Sequence, residues 1–150
     1  MQYRKARFSD VEQIHKLVND YAAEGLMLAR SRNVLYESLR EFILAEDEGH
    51  IVGVGALHLI WDALAEVRTM AVAPEYKEKG VGRKIVETLI EEGRELGVTE
   101  IFALTYQPGF FAKLGFYEVQ KEELPHKVWK ECINCPKFPN CDETAVTIKI

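Results

Sequence analysis

The sequence predicts an α/β domain, and three patterns in it point that way. Apolar residues recur at helical spacing in two stretches, Val11 to Tyr21 and Val81 to Leu96. Two apolar runs, Phe42 to Ala45 and Ile51 to Trp61, flank Glu46-Asp47-Glu48-Gly49, whose composition suits a hairpin turn. A further strand, Ala65 to Val72, leads through a Gly-rich turn into the second helical stretch. At 150 residues and 17.2 kDa, with 47% hydrophobic and 29% charged side chains, the chain suits one domain and leaves little room for a second.

Taken in order, Tyr3 to Phe8 reads as a first strand. Ser9 with Glu12 forms an S-x-x-E capping box, a sign of a helix start. Val11, Ile14, Leu17, Val18 and Tyr21 then form one apolar stripe. Leu26 to Ser31 is a connecting segment, and Leu35, Leu39 and Phe42 mark a shorter helix from about Asn33. The hairpin follows. On the strand Ala65 to Val72, alternation places Glu66, Arg68 and Met70 on one face and Val67, Thr69 and Ala71 on the other. Val81, Ile85, Val86, Leu89, Ile90 and Leu96 give the strongest helical stripe, with Gly97 where a C-cap glycine belongs. Glu100 to Thr105 is a short strand, Pro108 to Leu114 a short helix with Pro in its first turn, and Phe116 to Val119 another strand. The β-branched segment Thr144 to Ile150 closes the sheet.

Nineteen basic against 24 acidic side chains give a net charge of -5, the wrong sign for a general binder of nucleic acid or anionic membrane. The apolar runs are interrupted by Gly and His and fall short of the roughly 20 residues a membrane helix needs. The N-terminus lacks the pattern of a secretory signal, so the expected location is cytoplasmic. Small ligands or protein partners are expected, and a homodimer stays open.

Between Val72 and the following helix lies Pro74-Glu75-Tyr76-Lys77-Glu78-Lys79-Gly80-Val81-Gly82-Arg83. A strand, a Gly-rich turn and a helix N-terminus together make an anion-binding layout, because the first helical N–H groups have no partner within the helix. Taken alone, the same residues also suit an ordinary turn. No G-K-S/T follows, and the spacing is too short for G-x-G-x-x-G, which argues against the common nucleotide loops. The segment Lys77-Glu78-Lys79-Gly80-Val81-Gly82 resembles the Q/R-x-x-G-x-G/A turn of the GNAT acetyltransferase superfamily, with Lys in place of Gln or Arg. Phe111-Ala112-Lys113-Leu114-Gly115-Phe116 resembles the late Y-x-K-L-G-F segment of that superfamily.

The resemblance covers nearly the whole chain. It implies a GNAT fold: a mixed, mostly antiparallel sheet, splayed at the cofactor site and flanked by helices. It further implies acetyl-CoA as co-substrate. The backbone of Met70, Ala71 and Val72 would hold the pantetheine arm, and the turn Lys77, Glu78, Lys79, Gly80, Val81, Gly82 and Arg83 the pyrophosphate. Four blocks are similar to N-acetylglutamate synthase acetyltransferase domains: Gly25-Leu26-Met27-Leu28-Ala29-Arg30-Ser31-Arg32, Ala65-Glu66-Val67-Arg68, Phe102-Ala103-Leu104-Thr105 and Glu122-Glu123-Leu124-Pro125. The chain looks like a stand-alone short form of these.

Acyl transfer to an amino acid needs a base, since an α-ammonium is mostly protonated at neutral pH. Glu66 matches the position of the general base in similar synthases. Thr105 aligns with a Ser of those synthases and would hydrogen-bond the departing sulfur, with Tyr106 and Tyr117 as weaker candidates. Phe111 stands where many members carry a Tyr acid. Guanidinium forks suit a dicarboxylate substrate, and Arg30, Arg32 and Arg68 are the candidates. No Arg follows Arg94, so Lys127, Lys130 or Lys137 would have to stand in for the C-terminal Arg of the synthases. The expected reaction is N-acetylation of a small acidic amino acid, glutamate first. Another amine, or non-catalytic acyl-CoA binding, is the alternative.

Cys132, Cys135 and Cys141 form a cluster with His126 upstream. Those ligand types suit zinc, but the spacing is neither a finger nor a ribbon. Free thiols are the default, with a structural zinc or a reversible Cys132–Cys135 disulfide as alternatives.

Overall fold

A computed structural model of the chain describes residues 1–124 and 143–150. Its elements run β1 (Gln2–Lys5), α1 (Val11–Ala23), α2 (Arg32–Glu37), β2 (Phe42–Asp47), β3 (His50–Trp61), β4 (Leu64–Val72), α3 (Val81–Leu96), β5 (Glu100–Thr105), α4 (Pro108–Ala112), β6 (Tyr117–Val119) and β7 (Thr144–Lys149). The strands make a seven-stranded mixed sheet in the order β1-β2-β3-β4-β5-β7-β6, with β4 and β5 parallel. The chain gathers into two compact units, Met1–His58 with Val67–Glu92, and Leu59–Glu66 with Gly93–Ile150.

In the first unit β2 and β3 form the expected antiparallel hairpin, closing at Asp47↔His50. Glu48 and Gly49 both take positive φ, 50° and 83°, as the hairpin turn that matches strand twist requires. Val11, Ile14 and Val18 of α1 are fully buried against Leu44, Val54, Ala56 and Ala71, so the predicted stripe is the core face. On the other face α3 sits close to β3, and glycine makes that approach feasible. A Cβ on Gly55 would stand 2.5 Å from Met70 Sδ and 2.6 Å from Ile85 Cγ2.

Three local expectations change here. A 3₁₀ turn, Phe8–Asp10, leads into α1 in place of the capping box on Ser9 and Glu12; Asp10 is the N-cap residue of α1 but makes no side-chain bond to it, and its carboxylate closes the 3₁₀ turn instead. The Asp10 carboxylate accepts the Arg7 N–H at 2.7 Å and both arms of the Arg4 guanidinium at 2.8 Å. That guanidinium holds the Asp10 carboxyl below the usual carboxylate range. Phe42 opens β2 instead of ending a helix, because α2 stops at Glu37 and a single 3₁₀ turn, Leu39–Glu41, follows. Alternation along β4 breaks at Thr69, whose φ is 58°. For a β-branched residue this is a real outlier, and it shifts the strand by one face. Met70 therefore lies against Gly55 on the α3 side, while Ala71 joins the α1 core.

In the second unit β4 pairs with β5 from Leu64↔Glu100 to Glu66↔Phe102, and β7 lies antiparallel between β5 and β6. Leu64, Phe102, Leu124 and Ala145 are the core on one face. On the other, a Cβ at Gly93 of α3 would stand 3.2 Å from Ile101 Cδ1. Gly97, at φ 87°, ends α3 as expected, with Gly97 N–H on the Arg94 carbonyl and Val98 N–H on that of Gly93. This reversal folds Val98 inward, 7% exposed, and leaves Leu96 58% exposed, outside the core that the stripe assigned it to.

Candidate active site

The turn after β4 is shaped by two left-handed residues, Glu78 at φ 64° and Gly80 at φ 84°. The Gly80 carbonyl accepts the first helical bond, from Lys84 N–H at 3.1 Å, so the N–H groups of Val81, Gly82 and Arg83 belong to the partnerless first turn of a 16-residue helix. Lys77, Lys79 and Arg83 are exposed around it. Backbone donors, a positive helix end and three cations are what a pyrophosphate needs, and the turn could hold one.

Its cations are organised by tyrosines. Lys77 Nζ lies 5.0 Å from the centre of the Tyr21 ring, and Lys79 Nζ 5.5 Å from that of Tyr76. The Tyr76 hydroxyl donates to Asp47 at 2.6 Å, and this bond to a carboxylate raises its pKa. The Tyr21 hydroxyl donates to the Val72 carbonyl, and the Ala73 N–H donates to Val52 O at 2.8 Å. The end of β4 is thus pinned from α1 and from β3. The Val72 carbonyl, one of the groups expected to meet the pantetheine arm, already has a partner in Tyr21.

Glu66 is the last rung of the β4–β5 ladder and is only 6% exposed. Its neighbour Ala65 is in register with Ile101, which faces α3, so the Glu66 side chain lies on the opposite face, with Leu64 and Phe102. Thr105 lies three residues beyond Phe102 and so on the other face of β5. It is 9% exposed, and its Oγ1 accepts the Gln107 N–H at 2.8 Å, which leaves the hydroxyl proton as a donor. Phe111, 4% exposed, packs edge-on against Phe116 with ring centres 5.0 Å apart. The position at which the resemblance expects a Tyr is therefore spent on the core here.

The three arginines differ. Arg32 forms a fork with Glu12, at 2.7 and 3.0 Å, that joins α1 to α2 on the surface. Arg68 is half-buried, two residues after Glu66 on β4. Arg30 is half-buried in the α1–α2 connection, and its main chain is gripped by Asn19: Arg30 N–H donates to Asn19 Oδ1 at 3.0 Å, and Asn19 Nδ2 donates to Arg30 O at 2.9 Å. Asn19 and Tyr21 escaped the sequence reading. The one signal for Asn19 in the sequence is a poor helix former inside a helix, and Tyr21 stands out there only for its apolar ring.

The cysteines, with His126 and Lys127, Lys130 and Lys137, lie outside the described residues. Among the described residues no group of three His, Cys, Asp or Glu could hold a metal ion, and no helix is long and apolar enough to cross a membrane.

Comparison with known proteins matches residues 10–119 to the "Acetyltransferase (GNAT) family". The chain is 41% identical over 95% of its length to an uncharacterized N-acetyltransferase of Chlorobaculum tepidum, covering 92% of that protein. It is 40% identical over 85% of its length to the amino-acid acetyltransferase of Mycobacterium tuberculosis, covering 75% of it. Among solved structures, a Mycobacterium tuberculosis protein in complex with CoA superposes with a TM-score of 0.88 at 33% identity, over 100% of this chain and 99% of that one. N-acetylglutamate synthase from Neisseria gonorrhoeae, complexed with coenzyme A and N-acetyl-glutamate, gives a TM-score of 0.90 at 26% identity over 99% of this chain and 34% of that one. The chain belongs to the GNAT family of acetyl-CoA-dependent N-acetyltransferases.

Proposed function

We propose that this chain, working as one acetyltransferase domain, transfers the acetyl group of acetyl-CoA to the α-amine of a small acidic amino acid, with L-glutamate first. The observation that carries the reading is Glu66, a carboxylate 6% exposed on the last rung between two parallel strands. A buried carboxylate with an amine substrate beside it is placed to act as a base. The relatives named amino-acid acetyltransferase supply the substrate class.

The α-ammonium loses one proton to Glu66 and the free amine attacks the thioester carbon; the C–N bond forms, the C–S bond breaks, the CoA sulfur leaves with the bonding pair, and the second nitrogen proton is lost as the amide forms and balances the proton taken up by the thiolate. Negative charge on the carbonyl oxygen during attack calls for backbone donors, and the N–H groups around Met70 to Val72 are our candidates. Thr105, on the opposite face from Glu66, would donate its hydroxyl proton toward the departing sulfur. Direct attack in a ternary complex is the route we propose. The turn Lys77–Arg83 would bind the pyrophosphate. Arg30 and then Arg68 would bind the substrate carboxylates through their guanidinium forks. We place the reaction in the cytoplasm, at the acetylation step that commits glutamate to arginine biosynthesis.

A second reading keeps the chemistry and changes the amine. It is favoured by the absence of any Arg after Arg94 in the sequence, where the synthases carry a carboxylate contact. Thiol release from acetyl-CoA, measured against glutamate, aspartate, glutamine, lysine and spermidine at equal concentration, separates the two. Preference for glutamate supports the first reading, and preference for a cationic amine overturns it.

A further inference from the structure

We infer that Asn19 is a positioning residue for amine recognition, acting through the main chain of Arg30. The inference rests on reading Arg30 as a carboxylate-binding cation. Asn19 sits inside α1, where an amide side chain is a weak helix former because it competes for backbone hydrogen bonds. Here all that competing capacity is used. Nδ2 donates to the His15 carbonyl and to the Arg30 carbonyl, both at 2.9 Å, and Oδ1 accepts the Arg30 N–H at 3.0 Å. The bond to His15, one turn back on the same helix, fixes the orientation of the amide. The other two bonds then copy a strand-like pairing across 11 residues and hold both polar groups of Arg30.

Arg30 belongs to a connection without regular structure between Gly25, at φ 74°, and Ser31, whose Oγ caps α2 by accepting the Val34 N–H at 3.2 Å. The side chain of a residue in such a segment inherits the freedom of its backbone. A clamp on both the N–H and the C=O removes that freedom at the residue whose guanidinium must meet a carboxylate in a fixed fork. Asn19 thereby sets the place from which Arg30 reaches and touches no substrate itself. A clamp that merely sealed α1 to the connection would affect stability and leave the kinetic constants alone.

The test is a double-mutant cycle on the purified full chain, with KM for glutamate and for acetyl-CoA measured on Asn19→Ala, Arg30→Ala and the double variant. Expected are a rise in the glutamate KM of about fivefold for Asn19→Ala, the size of one net hydrogen bond, and a larger rise for Arg30→Ala. The acetyl-CoA KM should stay unchanged in both. The double variant should be no worse than Arg30→Ala alone, since a residue acting through Arg30 has nothing left to position. If Arg30→Ala raises the glutamate KM but Asn19→Ala does not, or if the two effects multiply, the positioning role is wrong and the reading of Arg30 stands. If Arg30→Ala leaves the glutamate KM unchanged, the reading of Arg30 itself falls and the inference with it. Should Asn19→Ala fail to fold, Asn19→Asp takes its place. It keeps an acceptor for the Arg30 N–H but loses the donors to the Arg30 and His15 carbonyls, and the same pattern of kinetic effects is expected.

Discussion

The Tyr21 hydroxyl donates to the carbonyl of Val72, tying the last full turn of α1 to the final residue of β4, the strand that leads into the Gly-rich turn. The ring of the same tyrosine lies under the Lys77 ammonium at 5.0 Å. One side chain thus fixes both the end of the strand and the first cation of the turn. Tyr21→Phe keeps the ring and removes the bond. The acetyl-CoA KM should rise about fivefold, the equivalent of roughly 1 kcal/mol, with the amine KM unchanged. Steady-state kinetics with each substrate varied in turn checks this.

Gly80 adopts φ 84° with open space around a would-be Cβ, so its replacement meets no clash. The cost of Gly80→Ala is then conformational alone, about 1–2 kcal/mol for an L-residue in the left-handed region. Part of that will appear as a distorted turn. Isothermal titration should show weaker acetyl-CoA binding, and a thermal melt a modest loss of stability. Glu78→Gly relieves strain of the same kind at φ 64° and should hold or raise the melting temperature.

Asp10 is 4% exposed and held by Arg4 and by the Arg7 N–H. Its folded-state pKa is depressed, chiefly by the hydrogen bonds from Arg4. A depressed carboxylate contributes stability that is complete above its unfolded pKa and is lost as pH falls through the folded one. Asp10→Asn should cost about 2 kcal/mol near neutrality and flatten the acid limb of the stability curve. Chemical denaturation from pH 7 down to pH 3 reads both.

Arg32→Ala breaks an exposed fork with Glu12 and should cost at most about 1 kcal/mol, with the glutamate KM held within about twofold. That contrast with Arg30→Ala is measurable in one kinetic series. A large rise in KM for Arg32→Ala would return Arg32 to the substrate site.

Local sequence rules hold best where period and punctuation agree. The stripe from Val11, the Glu48-Gly49 turn and Gly97 after α3 all stand where local rules put them. Those rules fail where a residue's partner lies elsewhere in the fold. The acceptor for the Arg7 N–H is Asp10, drawn into place by Arg4 from β1, and the S-x-x-E pattern carries no trace of that ion pair. Thr69 has a strand-forming side chain and a left-handed backbone, so alternation alone misassigned Met70. In the candidate site, the turn before α3 is legible as a backbone shape, because glycine spacing records it. Asn19 and Tyr21 are not, because their importance lies in bonds to Arg30 and Val72, 11 and 51 residues away.

The central claim is that Glu66 takes the proton of the amine. Replacing it with Gln preserves size and removes basicity, so single-turnover kinetics and acetyl-CoA titration on the Glu66→Gln variant test it most directly. The account predicts a fall in kcat of about 10²–10⁴-fold, with acetyl-CoA affinity unchanged and activity partly recovered at high pH, where more of the amine is already free. Full activity in that variant at neutral pH would contradict the assignment.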